Sequence, residues 1–190
     1  MRWLTLYARS RQVPASLAAV LVSTAAVWAL TRDGGGPADP KTSVFVLVAG
    51  VTAASAGLGG QDPALDRTAA IDWRPRRAVH VLLVGSVVAA VLLAARAAGA
   101  DPAPAAFVVR DSAGLAGLAA LGAVVCGAQY AWTLPVSWLS FSVLVPAPAS
   151  VPMEAAAWMV MPPGTTTATW TAVTLAVTGT AAYAFAGPRR

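Results

Sequence analysis

The chain has 190 residues, of which 57% are hydrophobic and 11% are charged, and its formal net charge is +5. Soluble domains carry about 25% charged residues, so this composition argues against a water-soluble domain and predicts one transmembrane domain over residues 1–190. The 13 cationic residues lie in short groups between apolar runs, which indicates a lipid bilayer rather than nucleic acid as the partner.

An amphipathic segment opens the chain, because Trp3, Leu6 and Tyr7 share one face of a helix. It predicts an interfacial helix over residues 1–12, although a plain positively charged flank explains the same residues equally well. The next apolar run is longer than the apolar part of a signal peptide, and no A-x-A cleavage site follows Leu30. We therefore expect this run to be retained as the first span.

Apolar segments predict six transmembrane helices, since about 20 residues cross a hydrocarbon core of roughly 30 Å. The predicted spans are residues 13–30, 43–60, 78–95, 112–129, 130–146 and 165–186. Residues 151–163 contain only a short apolar run between prolines, which predicts a re-entrant or interfacial helix on the extracellular side. The predicted fold is an all-α, polytopic membrane protein.

The positive residues predict the orientation of these spans. With the N-terminus inside, nine of the 13 Lys and Arg residues fall in cytoplasmic segments and four fall outside. An even number of spans then places the C-terminus in the cytoplasm as well. Lys41 is the only lysine, and this arginine bias together with abundant alanine is typical of a GC-rich bacterial genome. We expect the chain in a bacterial plasma membrane.

Candidate chemical groups are few within the predicted spans. His80 is the only histidine, Cys126 is the only cysteine and lies in the fourth span, and the Gln129 amide one turn further on would need a partner across a helix interface. All eight acids are expected in loops or at span ends, which argues against an ion-coupled carrier. The only lysine follows Pro40, so no Walker motif is present. We expect no enzymatic activity and no catalytic, cofactor-binding or metal-binding residues.

The cytoplasmic loop over residues 61–77 carries the most informative pattern. Three glycines, Gly57, Gly59 and Gly60, end the second span, and Asp62-Pro63 is typical of an N-cap followed by proline at the first helical position. The acids lie near the start of the predicted helix, where its dipole favours them. This predicts a short helix from residue 63 to about residue 71 that docks on a soluble partner; an ordinary charged loop is the alternative.

This layout resembles the permease subunits of the second type of ABC exporters, the class that includes drug and polysaccharide exporters. The resemblance rests on the interfacial N-terminal helix, the six spans, the helix between spans two and three, and the re-entrant element, matched here by residues 152–158. It implies that a coupling helix contacts an ATPase subunit. The implied coupling residues are Asp62, Pro63, Leu65, Asp66 and Arg67.

The resemblance also implies the assembly. ATP and Mg²⁺ would be bound by the partner ATPase, and a second permease chain would complete a homodimer or a heterodimer. The weakly polar spans suit a hydrophobic or amphipathic cargo. The alternative function is an accessory or scaffold membrane protein without a transport path of its own.

Overall fold

The computed structural model describes residues 40–59, 73–99, 103–144 and 149–189, together with Leu21 and Ala25. Every regular element among these residues is helical, which confirms the predicted all-α class. The helices are α1 (Pro40–Ser55), α2 (Arg74–Ala97), α3 (Ala105–Val125), α4 (Thr133–Leu144), α5 (Val151–Ala156) and α6 (Thr166–Ala186). Turns of 3-10 helix follow three of them, at Ala56–Leu58, Ala128–Tyr130 and Trp158–Val160.

Some predicted elements lie outside the described residues. These are the interfacial helix over residues 1–12, the first span except Leu21 and Ala25, and most of the 61–77 loop. Leu21 and Ala25 are both helical and exposed.

Three of the described helical segments are long and apolar enough to cross a membrane: Lys41–Leu58, Arg74–Ala97 and Ala105–Val125. They indicate a membrane protein. Helix α4 has 12 residues, and a rise of about 1.5 Å per residue makes it too short to span a hydrocarbon core. Helix α6 has 21 residues, seven of them threonines, and is not among the described helices that are apolar enough to cross a membrane. The described residues therefore do not confirm six spans or a re-entrant element.

Helix α3 is the central helix and packs against α1, α2, α4 and α6. Apart from Arg110, Asp111 and Ser112 near its start, it is apolar on all sides, as expected of a helix packed among other helices. Helices α1, α3 and α6 run in one direction, and α2 and α4 run in the other. We call one end of the bundle the tail end and the opposite end the turn end. The tail end contains residues 56–59, 73–80, 126–131 and 183–189, and the turn end contains residues 96–99, 103–107 and 149–165.

The backbones of α3 and α6 touch because glycines face each other there. A Cβ atom placed on Gly179 would overlap the carbonyl oxygen of Gly117, and one placed on Gly117 would overlap the carbonyl oxygen of Leu175. The buried residues Ala168 and Ala172 continue this contact along α6. Small residues allow such close approach between helices in a membrane, where water does not drive the helices together.

Hydrogen bonds join several helix ends at the tail end. The Tyr183 hydroxyl donates to the carbonyl oxygen of Leu58 at 2.5 Å, and His80 Nε2 donates to the carbonyl oxygen of Gly57 at 3.0 Å. The backbone N–H of Arg189 donates to Ala123 at 2.9 Å. The end of α1, the start of α2 and the last residues after α6 are thereby held around the end of α3.

Candidate functional site

A buried ion pair lies in the second turn of α3. The sequence predicts the start of this helix at residue 112, with Arg110 and the neighbouring acid outside it. The helix instead begins at Ala105, directly after Pro104, because the apolar residues 105–109 extend it. Asp111 is fully buried and the Arg110 side chain is only 7% exposed. The expectation that every acid lies in a loop or at a span end is therefore wrong for Asp111, which lies inside a helix able to span a membrane.

The guanidinium of Arg110 is shared between one carboxylate and three backbone carbonyls. Its Nε donates to Asp111 Oδ1 at 2.7 Å. Its terminal nitrogens donate to the carbonyl oxygens of Trp158, Met161 and Pro162 at 3.2, 2.8 and 3.1 Å. The guanidinium carbon also lies 5.2 Å from the centre of the Phe107 ring, within range of a cation–π interaction. The pair has no net charge, and it caps the end of the 3-10 turn that follows α5.

That turn is held inside the bundle from two further sides. Trp158 and Met159 are fully buried, and the Trp158 ring lies so close to Gly114 that a Cβ atom there would be 2.6 Å from Cη2. On α4, Trp138 Nε1 and Ser142 Oγ both donate to the carbonyl oxygen of Ala156, at 2.8 and 3.0 Å. Residues 156–162 are thus fixed to α3 and α4 at the turn end.

The cluster also contains buried polar atoms that have no hydrogen-bond partner within the described part of the chain. These are Asp111 Oδ2, an acceptor, and Trp158 Nε1, a donor. Because a buried unpaired polar atom costs about 1–3 kcal/mol, such atoms are uncommon and mark places where a further group can bind or where helices rearrange. Within the described residues, no group of three or more His, Cys, Asp or Glu side chains could hold a metal ion.

The predicted coupling residues Asp62, Pro63, Leu65, Asp66 and Arg67 lie outside the described residues. The structure does describe the two points where this loop leaves and re-enters the bundle, at Gly59 and Trp73. Both points are at the tail end. The start of α2 is also close to the end of α6, since the Arg74 guanidinium carbon lies 5.3 Å from the centre of the Phe185 ring.

Of the other candidate residues, Cys126 and Gln129 have different surroundings from those expected, and His80 does not. His80 lies near the start of α2, half-buried, where it bonds to Gly57. The prediction that Cys126 lies mid-span is wrong, because α3 ends at Val125 and Gly127 has a φ of 106°, a left-handed conformation that favours glycine. Cys126 and Gln129 are both exposed beyond the helix end, so Gln129 does not form the buried contact expected of it.

Sequence reasoning missed the Arg110–Asp111 pair. Pro104 followed by the apolar residues 105–109 was the available signal that a helix starts before the pair, since proline favours helix beginnings. No protein-family model, curated protein or solved structure matches the chain.

Proposed function

We propose that the chain is the membrane-spanning permease subunit of an ATP-driven exporter in a bacterial plasma membrane. Both termini are cytoplasmic in this proposal, and a separate ATPase subunit that binds ATP and Mg²⁺ couples to the chain through residues 61–77. A second permease chain, identical or related, completes the transporter. Three helices able to cross a membrane support it. A second support is the positive charge of the tail end, because cytoplasmic segments are enriched in positive residues. The arginines described there are Arg74, Arg76, Arg77 and Arg189.

The main support for the proposal is that hydrogen bonds connect the ends of α1, α2 and α6 beside the 61–77 loop. His80 links the start of α2 to the end of α1, and Tyr183 links the end of α6 to the same place. A displacement of the loop would therefore move α1, α2 and α6 together. Helix α6 is in backbone contact with the central helix α3 at Gly117. A movement of α6 would therefore be transmitted directly to α3, with no flexible side chain between the two helices.

The turn end supplies a barrier in this mechanism. Residues 156–162 lie between α3, α4 and α6 and are fastened by Arg110, Trp138 and Ser142. Closure of the ATPase subunits would shift α6 along α3 and loosen these contacts, opening the extracellular side. A hydrophobic or amphipathic cargo suits the apolar walls that such an opening would expose.

An affinity pull-down of the tagged chain in mild detergent tests the coupling. We expect an ATPase to be recovered with the wild type and lost with Leu65→Asp and with Asp66→Arg, because these side chains lie on the predicted docking helix. Glu154→Arg is the matched control, since it reverses a charge on α5 at the opposite end of the bundle. An ATPase that binds all variants equally contradicts the coupling assignment.

One observation favours the alternative of an accessory or scaffold protein. The centre of the described bundle is filled by α3, whose residues Leu115, Leu118 and Ala119 are buried. A transport path must therefore lie between two chains, or the chain has no path of its own. In the second case, no ATPase is recovered, transport is unaffected by Leu65→Asp, and deletion of the chain destabilises a larger complex.

A further inference from the structure

A narrow groove of about 150 Å³ opens between α2, α3 and α6. On α2 its lining runs from Val81 to Ala89, so the groove is about 12 Å long. Eight of its eleven lining residues in the described part of the chain are aliphatic or glycine, and the other three carry hydroxyl groups, so it suits an apolar occupant. The central helix reaches the surface there, because its exposed residues Val109 and Ala113 both line the groove.

The size of the groove indicates how slender that occupant must be. An α-helix is about 10 Å across with its side chains, so a length of about 12 Å occupies roughly 900 Å³. The groove holds only a fraction of this volume, and a helix would rest on its rim, where the Leu82 side chain is 60% exposed. The acyl chain of a lipid is apolar and unbranched, and it is thin enough to enter.

Positive charge lies above the tail end of the groove. Arg74 is exposed, and it precedes Val81 by seven residues on the same face of α2. Its guanidinium carbon is 5.3 Å from the centre of the Phe185 ring, so the charge lies between the start of α2 and the end of α6. The Arg77 guanidinium lies at the same seam, because a Cβ atom added to Gly187 would be 2.8 Å from its nearest nitrogen. Both walls of the groove therefore end at a guanidinium.

The spacing between the arginines and the groove matches the length of a phospholipid. Along α2, Ala89 at the far end of the groove lies about 22 Å from Arg74. One leaflet with its head groups is about 20–22 Å thick, half of the whole bilayer. Basic sites between transmembrane helices bind lipids with anionic head groups. An arginine has five N–H donors, so it can bind a phosphate and keep its other contacts.

We propose that an anionic phospholipid binds at this site as a bound component of the protein. Its phosphate lies at Arg74 and Arg77, and one of its acyl chains lies in the groove between α2, α3 and α6. A neutral phospholipid offers the same acyl chain without a net charge, and therefore binds more weakly. This inference does not depend on the exporter function, and its test uses neither an ATPase nor transport.

Native mass spectrometry of the purified chain in mild detergent tests the site, because it counts the lipids that stay bound. The probes are phosphatidylglycerol, which is anionic, and phosphatidylcholine with the same acyl chains, which is neutral. We expect the wild type to bind one molecule of phosphatidylglycerol at least tenfold more tightly than phosphatidylcholine. The double variant Arg74→Gln with Arg77→Gln should weaken this binding about 25-fold, since each arginine near an anionic lipid contributes about a factor of five.

Arg76→Gln is the matched control for charge. Arg76 is an exposed arginine in the same turn of α2, but its guanidinium carbon lies 5.3 Å from the centre of the Trp73 ring and not at the end of α6. We expect its replacement to change the affinity for phosphatidylglycerol less than twofold. A loss equal to that of the double variant would show general attraction to a positive surface and would overturn the proposal.

A second pair of variants tests the groove itself. Ala113→Phe places a ring in the groove from an exposed position and should weaken binding at least tenfold, whereas Ala90→Phe, at an exposed position of α2 outside the groove, should have no effect. Circular dichroism checks that each variant keeps the helical content of the wild type. Undiminished binding to Ala113→Phe, release of the lipid by millimolar inorganic phosphate, or a lipid-free dimer as the wild-type species would overturn the proposal.

Discussion

Replacing Asp111 with alanine is expected to destabilise the folded protein by about 3–5 kcal/mol, because removal of one partner leaves a buried charge without compensation. Arg110 remains charged at all accessible pH values, and its side chain is only 7% exposed. The three carbonyl groups that it contacts carry only partial charges and do not replace the carboxylate. Unfolding of the purified chain in mild detergent, followed by circular dichroism, measures the effect.

Glu154→Ala is the control for this substitution. Glu154 is half-buried on α5 and forms no salt bridge within the described residues, so its loss is expected to change the stability by no more than about 0.5 kcal/mol. The double variant Arg110→Met with Asp111→Leu should be more stable than Asp111→Ala, because it removes both charges. Equal stability of Asp111→Ala and Glu154→Ala would show that the ion pair does not hold the turn end together.

Gly179→Ala is expected to cost about 3 kcal/mol or more, the upper end of the usual cost of overpacking, because the obstructing atom is a backbone carbonyl oxygen that cannot rotate away. The gain of about 1 kcal/mol in helix propensity on replacing glycine by alanine is too small to offset this cost. Helices α3 and α6 would have to move apart along their whole contact. The same unfolding measurement in detergent checks the prediction.

Two glycines provide a graded comparison. A Cβ atom on Gly85 would lie 3.2 Å from Ala116 Cβ and from the Ser112 carbonyl oxygen, whereas one on Gly59 would make only ordinary contacts at 3.6 and 3.8 Å. We therefore expect Gly179→Ala to be the most harmful, Gly85→Ala to be intermediate and Gly59→Ala to be tolerated. A tolerated Gly179→Ala would contradict the direct backbone contact between α3 and α6.

Much of the helical layout could be predicted from the sequence because apolar length is a local property. The predicted segments at 78–95 and 165–186 lie on α2 and α6, whose boundaries differ from them by at most four residues. The boundaries of α3 could not be predicted in the same way. The sequence alone does not distinguish an adjacent Arg110 and Asp111 in a loop from the same two residues in a buried ion pair. The distinction depends on carbonyl groups about 50 residues further along the chain, at Trp158, Met161 and Pro162.

Contacts between distant segments explain the other differences. Nothing near Gly179 in the sequence distinguishes it from a glycine that weakens a helix, and its role depends on Gly117 in another helix. The end of α3 at Val125 depends on the left-handed conformation of Gly127. The apolar residues around this glycine gave no sequence signal for a helix end. The coupling residues of the 61–77 loop remain a prediction from local helix signals alone.

The membrane topology of the bundle is tested most directly by finding from which side of the membrane a thiol reagent labels each end. Cys126 is the only cysteine and is exposed at the tail end, and Pro163 is exposed at the turn end. A membrane-impermeant thiol reagent should label native Cys126 in inside-out vesicles but not in intact cells. The variant Cys126→Ser with Pro163→Cys should show the reverse. Labelling of both cysteines from the same side would contradict a bundle that spans the membrane with its tail end in the cytoplasm.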